Sequence, residues 1–486
     1  MSVLPDVMSE ALDYNNIKRR AMASRSYRVR IAPSNAVTFA AGSTAYLDLP
    51  SNLSGTFMDM SQTYIRFKVA YTNTCKGANS TIAPIALDKC GAYGFFQRVA
   101  CITSGQQIFD LNNYNVLAAA LMDTDASNDW KANAGNVLVG TTAACPHGES
   151  IGLPAPAAGS ALDSSVITYR TYCVPFILNP FALQKKLVPL FSLDSLRFRI
   201  TFETLQKAII QGAVNAHNSV GYSIADMELV SYFTELSPSA MAQLDSMTGG
   251  VYNLLCPSYS NAQASMTTTS TVLNSVLGIA VSSLERIIVI HRTNAAVDDV
   301  GSASLGGRTT SGLTTAQFFI NSEAFPQRNV SVDDMAAEPL AEYLISDHAL
   351  SDFTRSSGIQ NFNVSLGVQS QNVYSPHLYN NTNIAQDSTL PAANAWNNKG
   401  TGDVDGLGMG AATTNVGSFL LAIELETGCS AGRSDRLYSG ISTISSVVQY
   451  KGTYTSPQAA TLDFFAQFTV LLTLNMRQTG VWSITI

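Results

Sequence analysis

The chain has 486 residues, of which only 13 % are charged, and a net charge of −7. That length exceeds one ordinary domain, and the acidic balance excludes nucleic-acid binding by bulk electrostatics, so any such contact has to be local. A charged fraction of about half the usual value, with abundant Ser, Thr, Asn, Ala and Gly, suits burial against neighbouring subunits.

The chain opens MSVLPDVMSE, which has acidic residues and no apolar core, so no secretory signal is expected. Lys18, Arg19, Arg20, Arg25, Arg28 and Arg30 then cluster in a chain with 28 basic residues. No acidic residue lies between Lys18 and Arg30. Residues 1–34 read as a basic arm suited to contact with nucleic-acid phosphate or an anionic lipid surface. The plainer reading is a solvated arm, or arginines that pair with neighbouring subunits.

From residue 35 the dominant period is two. Ile65, Phe67, Val69 and Tyr71 face one way, with Arg66 and Lys68 opposed, which marks a strand with one buried face. Residues 113–123 have helical spacing through Tyr114, Leu117, Ala118 and Leu121, with Asn112 or Asn113 as cap. Residues 124–164 show little periodicity and read as a long loop. Strands return at 195–203, where Leu196, Phe198, Ile200 and Phe202 alternate with Arg197, Arg199 and Thr201, and at 224–236.

Ser237 and Pro238 have the form of a cap and first helical residue, giving a short linker helix over 237–250. Strand character resumes at Val251. Residues 246–284 hold no charge, but polar residues interrupt them throughout, which excludes a membrane span. A third short helix is predicted at 338–345, and a second long loop at 374–417. Phe464, Ala466, Phe468, Val470, Leu472 and Leu474 then alternate as a closing strand, followed by Trp482, Ile484 and Ile486. The reading is all-β, with two separately cored sandwiches, 35–236 and 251–486, that share one order of elements and arose by duplication.

Seven cysteines, Cys75, Cys90, Cys101, Cys145, Cys173, Cys256 and Cys429, are scattered and never form C-x-x-C. With no secretory signal they read as free thiols of a protein made inside a cell. The five histidines lack metal-ligand spacing, so neither a metal nor another cofactor is expected. Gly428-Cys429-Ser430-Ala431-Gly432 matches the G-x-S-x-G nucleophile elbow, but no helical face and no histidine follow it, which argues against a hydrolase. The stretch 400–417 holds six glycines with Asp403 and Asp405. It lacks both the phosphate-loop lysine and the terminal glutamate of a calcium loop. No catalytic residues emerge.

Gly55-Thr56-Phe57-Met58-Asp59, Gly94-Phe95-Phe96-Gln97-Arg98-Val99 and Gly105-Gln106-Gln107-Ile108-Phe109-Asp110-Leu111, with the helix at Tyr114, resemble the first jelly roll of double jelly-roll major capsid proteins. Residues 222–236 resemble the strand that closes that barrel. Gln317-Phe318-Phe319-Ile320-Asn321-Ser322 with Phe325-Pro326 and the helix at Tyr343 resemble the second. The family is found in adenoviruses, virophages, polinton-like viruses and large DNA viruses. The resemblance implies two tandem jelly rolls, a homotrimer of pseudo-hexagonal outline and an icosahedral lattice. It also implies a place in the virion, partners among minor capsid or penton proteins, and an interior-facing position for the basic arm with Lys18, Arg19, Arg20, Arg25, Arg28 and Arg30, against genome or inner membrane. The competing class is a two-domain β-sandwich adhesin that reads a carbohydrate or receptor.

Overall fold

Ile65, Phe67, Val69 and Tyr71 are all buried along one face of a 20-residue strand, Thr56–Cys75, while Arg66 and Lys68 stay partly exposed on the other. Alternation of this kind recurs in many strands of the computed structural model. It describes residues 24–75, 85–103, 106–142, 150–151, 164–184, 186–211, 218–294, 305, 307–332, 336–350, 417–426, 440–455, 457–477 and 480–485.

In the first half, Thr56–Cys75 is flanked by Asn218–Leu236 and Ser164–Pro175, and Ser24–Ile31 adds the outermost strand beyond Asn218–Leu236. The opposing sheet has the order Thr44–Asp48, Arg197–Phe202, Phe96–Ile102, Gln107–Asn112. Phe67 from one sheet meets Phe96 from the other at 5.6 Å between ring centroids. Each such ring, fully buried, contributes roughly 1.5–3 kcal/mol.

The second half repeats this plan. Leu284–Thr293 is flanked by Ala460–Asn475 and Leu421–Glu424, with Val251–Met266 beyond Ala460–Asn475. The opposing sheet runs Val272–Leu277, Val448–Tyr454, Leu313–Ile320, Glu323–Ser331. In both halves the small sheet takes its earliest strand, then its last, then the middle pair, and a helix follows the fourth: Tyr114–Asp125 and Ala337–Ser346. This interleaving is the jelly roll, present twice. Among the described residues every ladder is antiparallel except the two-residue pairing of Gly307–Arg308 with Gly417–Ser418.

The helix Pro238–Thr248 joins the two, capped as its sequence predicts by Ser237 Oγ accepting from Ala240 N and closed by Gly249 at φ +67°. Three expectations change. The stretch 124–164 is not all loop, because it holds the helices Asn128–Ala132 and Ala134–Val139. These single turns are too short to show a helical period. The cores are not separate, since buried side chains run continuously from one sandwich to the other. Phe181 packs on Trp482, and Phe191 on Tyr252.

The arm is the third change. Ser24–Ile31 is a strand paired residue for residue with Leu229–Leu236, so the first sheet begins at Ser24 rather than 35. The arginines there alternate with Tyr27, Val29 and Ile31, which pack against the core, so the segment carries strand period as well as charge.

Candidate functional site

Of the basic cluster, Arg25, Arg28 and Arg30 lie on this outer strand, while Lys18, Arg19 and Arg20 fall outside the described residues. Arg25 pairs with Glu235 at 2.8 Å and stacks over Tyr27. Arg28 lies over the ring of Tyr232 and donates to its hydroxyl at 3.0 Å. Arg30 and Arg66 share Glu228 at 3.4 and 3.6 Å. Lys68 stands over Tyr169. The three arginines therefore hold to their own sheet. The G-x-S-x-G match and the 400–417 stretch, up to residue 416, also fall outside the described residues.

Sequence reasoning missed the buried charges where the sandwiches meet. Asp123, near the end of Tyr114–Asp125, is ringed by Lys89 at 3.0 Å, Lys131 at 3.5 Å and Arg308 of the second sandwich. Lys89 also donates to Ser418 Oγ at 2.8 Å, and Asp88 accepts from Leu305 N at 2.9 Å. Burial alone would raise the Asp123 pKa, but the three cations outweigh it and hold it at about 2. Lys89 is lowered to about 8 by burial and by the nearby Arg308 and Lys131, against the pull of Asp123.

A second bridge starts at Asn113. Expected as a helix cap, it makes no capping bond and instead donates to Asp463 at 3.0 Å and Asn261 at 3.2 Å. Asp463 is in turn gripped by Arg292 Nε and Nη2 at 2.9 and 2.6 Å. A third pairs Thr124 with Tyr343 at 2.7 Å. These contacts fix the two sandwiches side by side.

Beside this junction a cavity of about 540 Å³ is lined by side chains of both halves, including Gln184, Lys186, Glu285, Arg286, His348, Glu424 and Glu426. His348, Glu424 and Glu426 bring their donor atoms within 4.8 Å of one another, although nothing in their sequence spacing pairs the histidine with the glutamates. Burial pushes Glu424 up to about 7, with the charge of Glu426 adding to it against backbone hydrogen bonds. The described cysteines Cys90, Cys101, Cys173 and Cys256 are free thiols.

No protein-family model matches the sequence, and no curated protein matches it significantly. Solved structures do. The major capsid protein of mavirus is similar over 100 % of this chain and 96 % of its own, with 12 % identity and a TM-score of 0.53. A Sputnik virophage structure from cryo-EM matches 100 % of this chain and 93 % of its own, at 12 % identity and a TM-score of 0.54. VP54 of PBCV-1, fitted into a reconstruction of Sputnik, covers 96 % and 98 %, at 10 % identity and 0.54. The chain has the double jelly-roll fold.

Proposed function

We propose that the chain is a structural major capsid protein that assembles as homotrimers of pseudo-hexagonal outline into an icosahedral shell. The observation that supports this most is the repeated jelly-roll order in one chain, matched end to end by the virophage capsid structures. Two like sandwiches per chain give six per trimer, and rotational symmetry with heterologous contacts closes such a ring. Exposed apolar side chains at Val272, Val276, Ile444 and Val447 supply surface to bury between subunits, and the low charge fraction limits the ions to be desolvated. The alternative reading as an adhesin has no support in these similarities.

In this reading the chain acts in the virion, contributes no chemistry of its own, and meets minor capsid or penton proteins at the lattice. Lys18, Arg19, Arg20, Arg25, Arg28 and Arg30 face the interior, where genome phosphate or lipid headgroups match their charge. Light scattering of the purified protein should give a mass of three chains, with hexagonal particles in electron micrographs. A stable monomer that never assembles and binds a glycan would reverse the reading. Rapid protease cleavage before Ser24 in intact particles would reverse the interior placement alone.

A further inference from the structure

The helix Ala337–Ser346 ends in a turn in which Ala349 N donates to the Leu344 carbonyl at 2.8 Å and His348 takes a left-handed φ of 51°. The turn sets His348 against the chain leaving the strand Leu421–Glu424. Just beyond the strand, Leu425 N donates to the Glu285 carbonyl at 2.8 Å. Glu424 and Glu426 both reach His348, each with one carboxylate oxygen 3.5 Å from Nε2.

The cluster has the features of a ligand set rather than of three neighbours on a surface. Glu424 Oε1 accepts from Glu426 N at 2.9 Å, which fixes the carboxylate. Oε2 is fully enclosed and accepts no hydrogen bond among the described residues. Asp347, next in the chain to His348, also lines the cavity and is held by Arg286 at 3.0 Å. The other cations lining the cavity are committed too: Arg286 also donates to Gln467, and Lys186 to the Asn253 carbonyl.

Donors about 2.0–2.2 Å from a tetrahedral ion stand about 3.3–3.5 Å from one another, which is the spacing of His348 to each glutamate. Imidazole with two carboxylates suits first-row divalent metals, whereas calcium and magnesium take oxygen ligands. The cavity leaves room for water at the remaining position.

We propose that His348, Glu424 and Glu426 bind one divalent transition-metal ion, typified by zinc, which clips the end of the helix Ala337–Ser346 to the strand Leu421–Glu424. The site rests on this geometry and not on the capsid role.

The assembled full-length protein, stripped with chelator and titrated with Zn²⁺ in a calorimeter, should take up one ion per chain, and its unfolding midpoint should rise until one equivalent is bound. Co²⁺ in the same site should give the visible absorption of a four- or five-coordinate ion. Glu426→Gln and His348→Ala should each weaken Zn²⁺ binding at least about tenfold and abolish the rise in midpoint, while His217→Ala leaves both unchanged. Unchanged circular dichroism and mass of Glu426→Gln would show that it folds. Absence of Zn²⁺ uptake at micromolar concentration, or uptake that survives Glu426→Gln and His348→Ala alike, would overturn the site and leave a His348 ion pair in its place.

Discussion

Asp123 of the first sandwich and Arg308 of the second form an ion pair in which neither side chain reaches solvent. Lys89 and Lys131 complete the ring around the carboxylate, so Asp123 faces three buried cations. Removing the charge of one partner in such a site typically costs about 3–5 kcal/mol, because the others stay buried and uncompensated. Asp123→Asn should therefore lower stability by about that amount, read as a fall in the urea midpoint. The exposed Arg197–Asp48 pair is the contrast: Arg197→Ala should cost no more than about 1 kcal/mol. Equal effects from the two would remove the junction's claim to special weight.

The buried groups also set the acid limb of stability. His291 lies stacked on Phe419, with Nδ1 lacking a partner among the described residues, and burial lowers its pKa from 6.5 to about 3. The unfolded chain then binds a proton that the folded chain refuses, so this contribution is complete above pH 6.5 and lost as pH falls toward 3. Asp123, lowered from 3.8 to about 2, adds its own loss only below pH 3.8. Between pH 6.5 and 5 the His291 effect stands apart from that of Asp123 and amounts to about 2 kcal/mol. In His291→Phe the unfolding free energy should fall by about 2 kcal/mol less than in the parent over that interval. Equal slopes would refute it.

The sheets were legible because half-buried strands announce themselves: Ile65 to Tyr71 and Phe198 to Phe202 alternate with polar residues, and both proved buried on the expected face. The strand Leu284–Thr293 was not, since every residue in it is buried. A strand covered on both faces loses its period, and Arg286 and Arg292 went unnoticed within it. The junction charges and the His348 cluster were invisible for another reason: Asp123 meets Arg308, and His348 meets Glu424, across long stretches of chain, and no spacing rule reaches that far. The strand Ser24–Ile31 was missed because charge was weighed ahead of the alternation of Tyr27, Val29 and Ile31.

The thiols should separate by burial. Burial raises Cys90 and Cys101 well above the usual thiol range and pushes Cys256 up to about 12, with Lys186 opposing slightly, while Cys173 is only half-buried. The thiolate is the reactive form. Alkylation of the native protein, followed by peptide mass mapping, should modify Cys173 well before Cys90, Cys101 and Cys256. Early labelling of Cys101 would mean that the first sheet opens readily.

The place of Ser24–Ile31 can be tested by truncation. As an arm it could be removed at no cost to the fold. As a strand it contributes an eight-residue ladder against Leu229–Leu236, the contact of Tyr27 with Phe233 at 6.1 Å between ring centroids, and partial burial of Val29 and Ile31. Half-burying three such side chains stabilises by roughly 3 kcal/mol, and loss of the strand would leave Leu229–Leu236 as an open edge, which invites aggregation. Deleting residues 1–23 should leave the unfolding midpoint within about 1 °C. Deleting 1–33 should lower it by several degrees and increase light scattering. Arg28→Ala, which removes charge but keeps the ladder, should resemble the shorter deletion. If both deletions melt alike, the segment is an appended arm after all, and its pairing with Leu229–Leu236 contributes little to the fold.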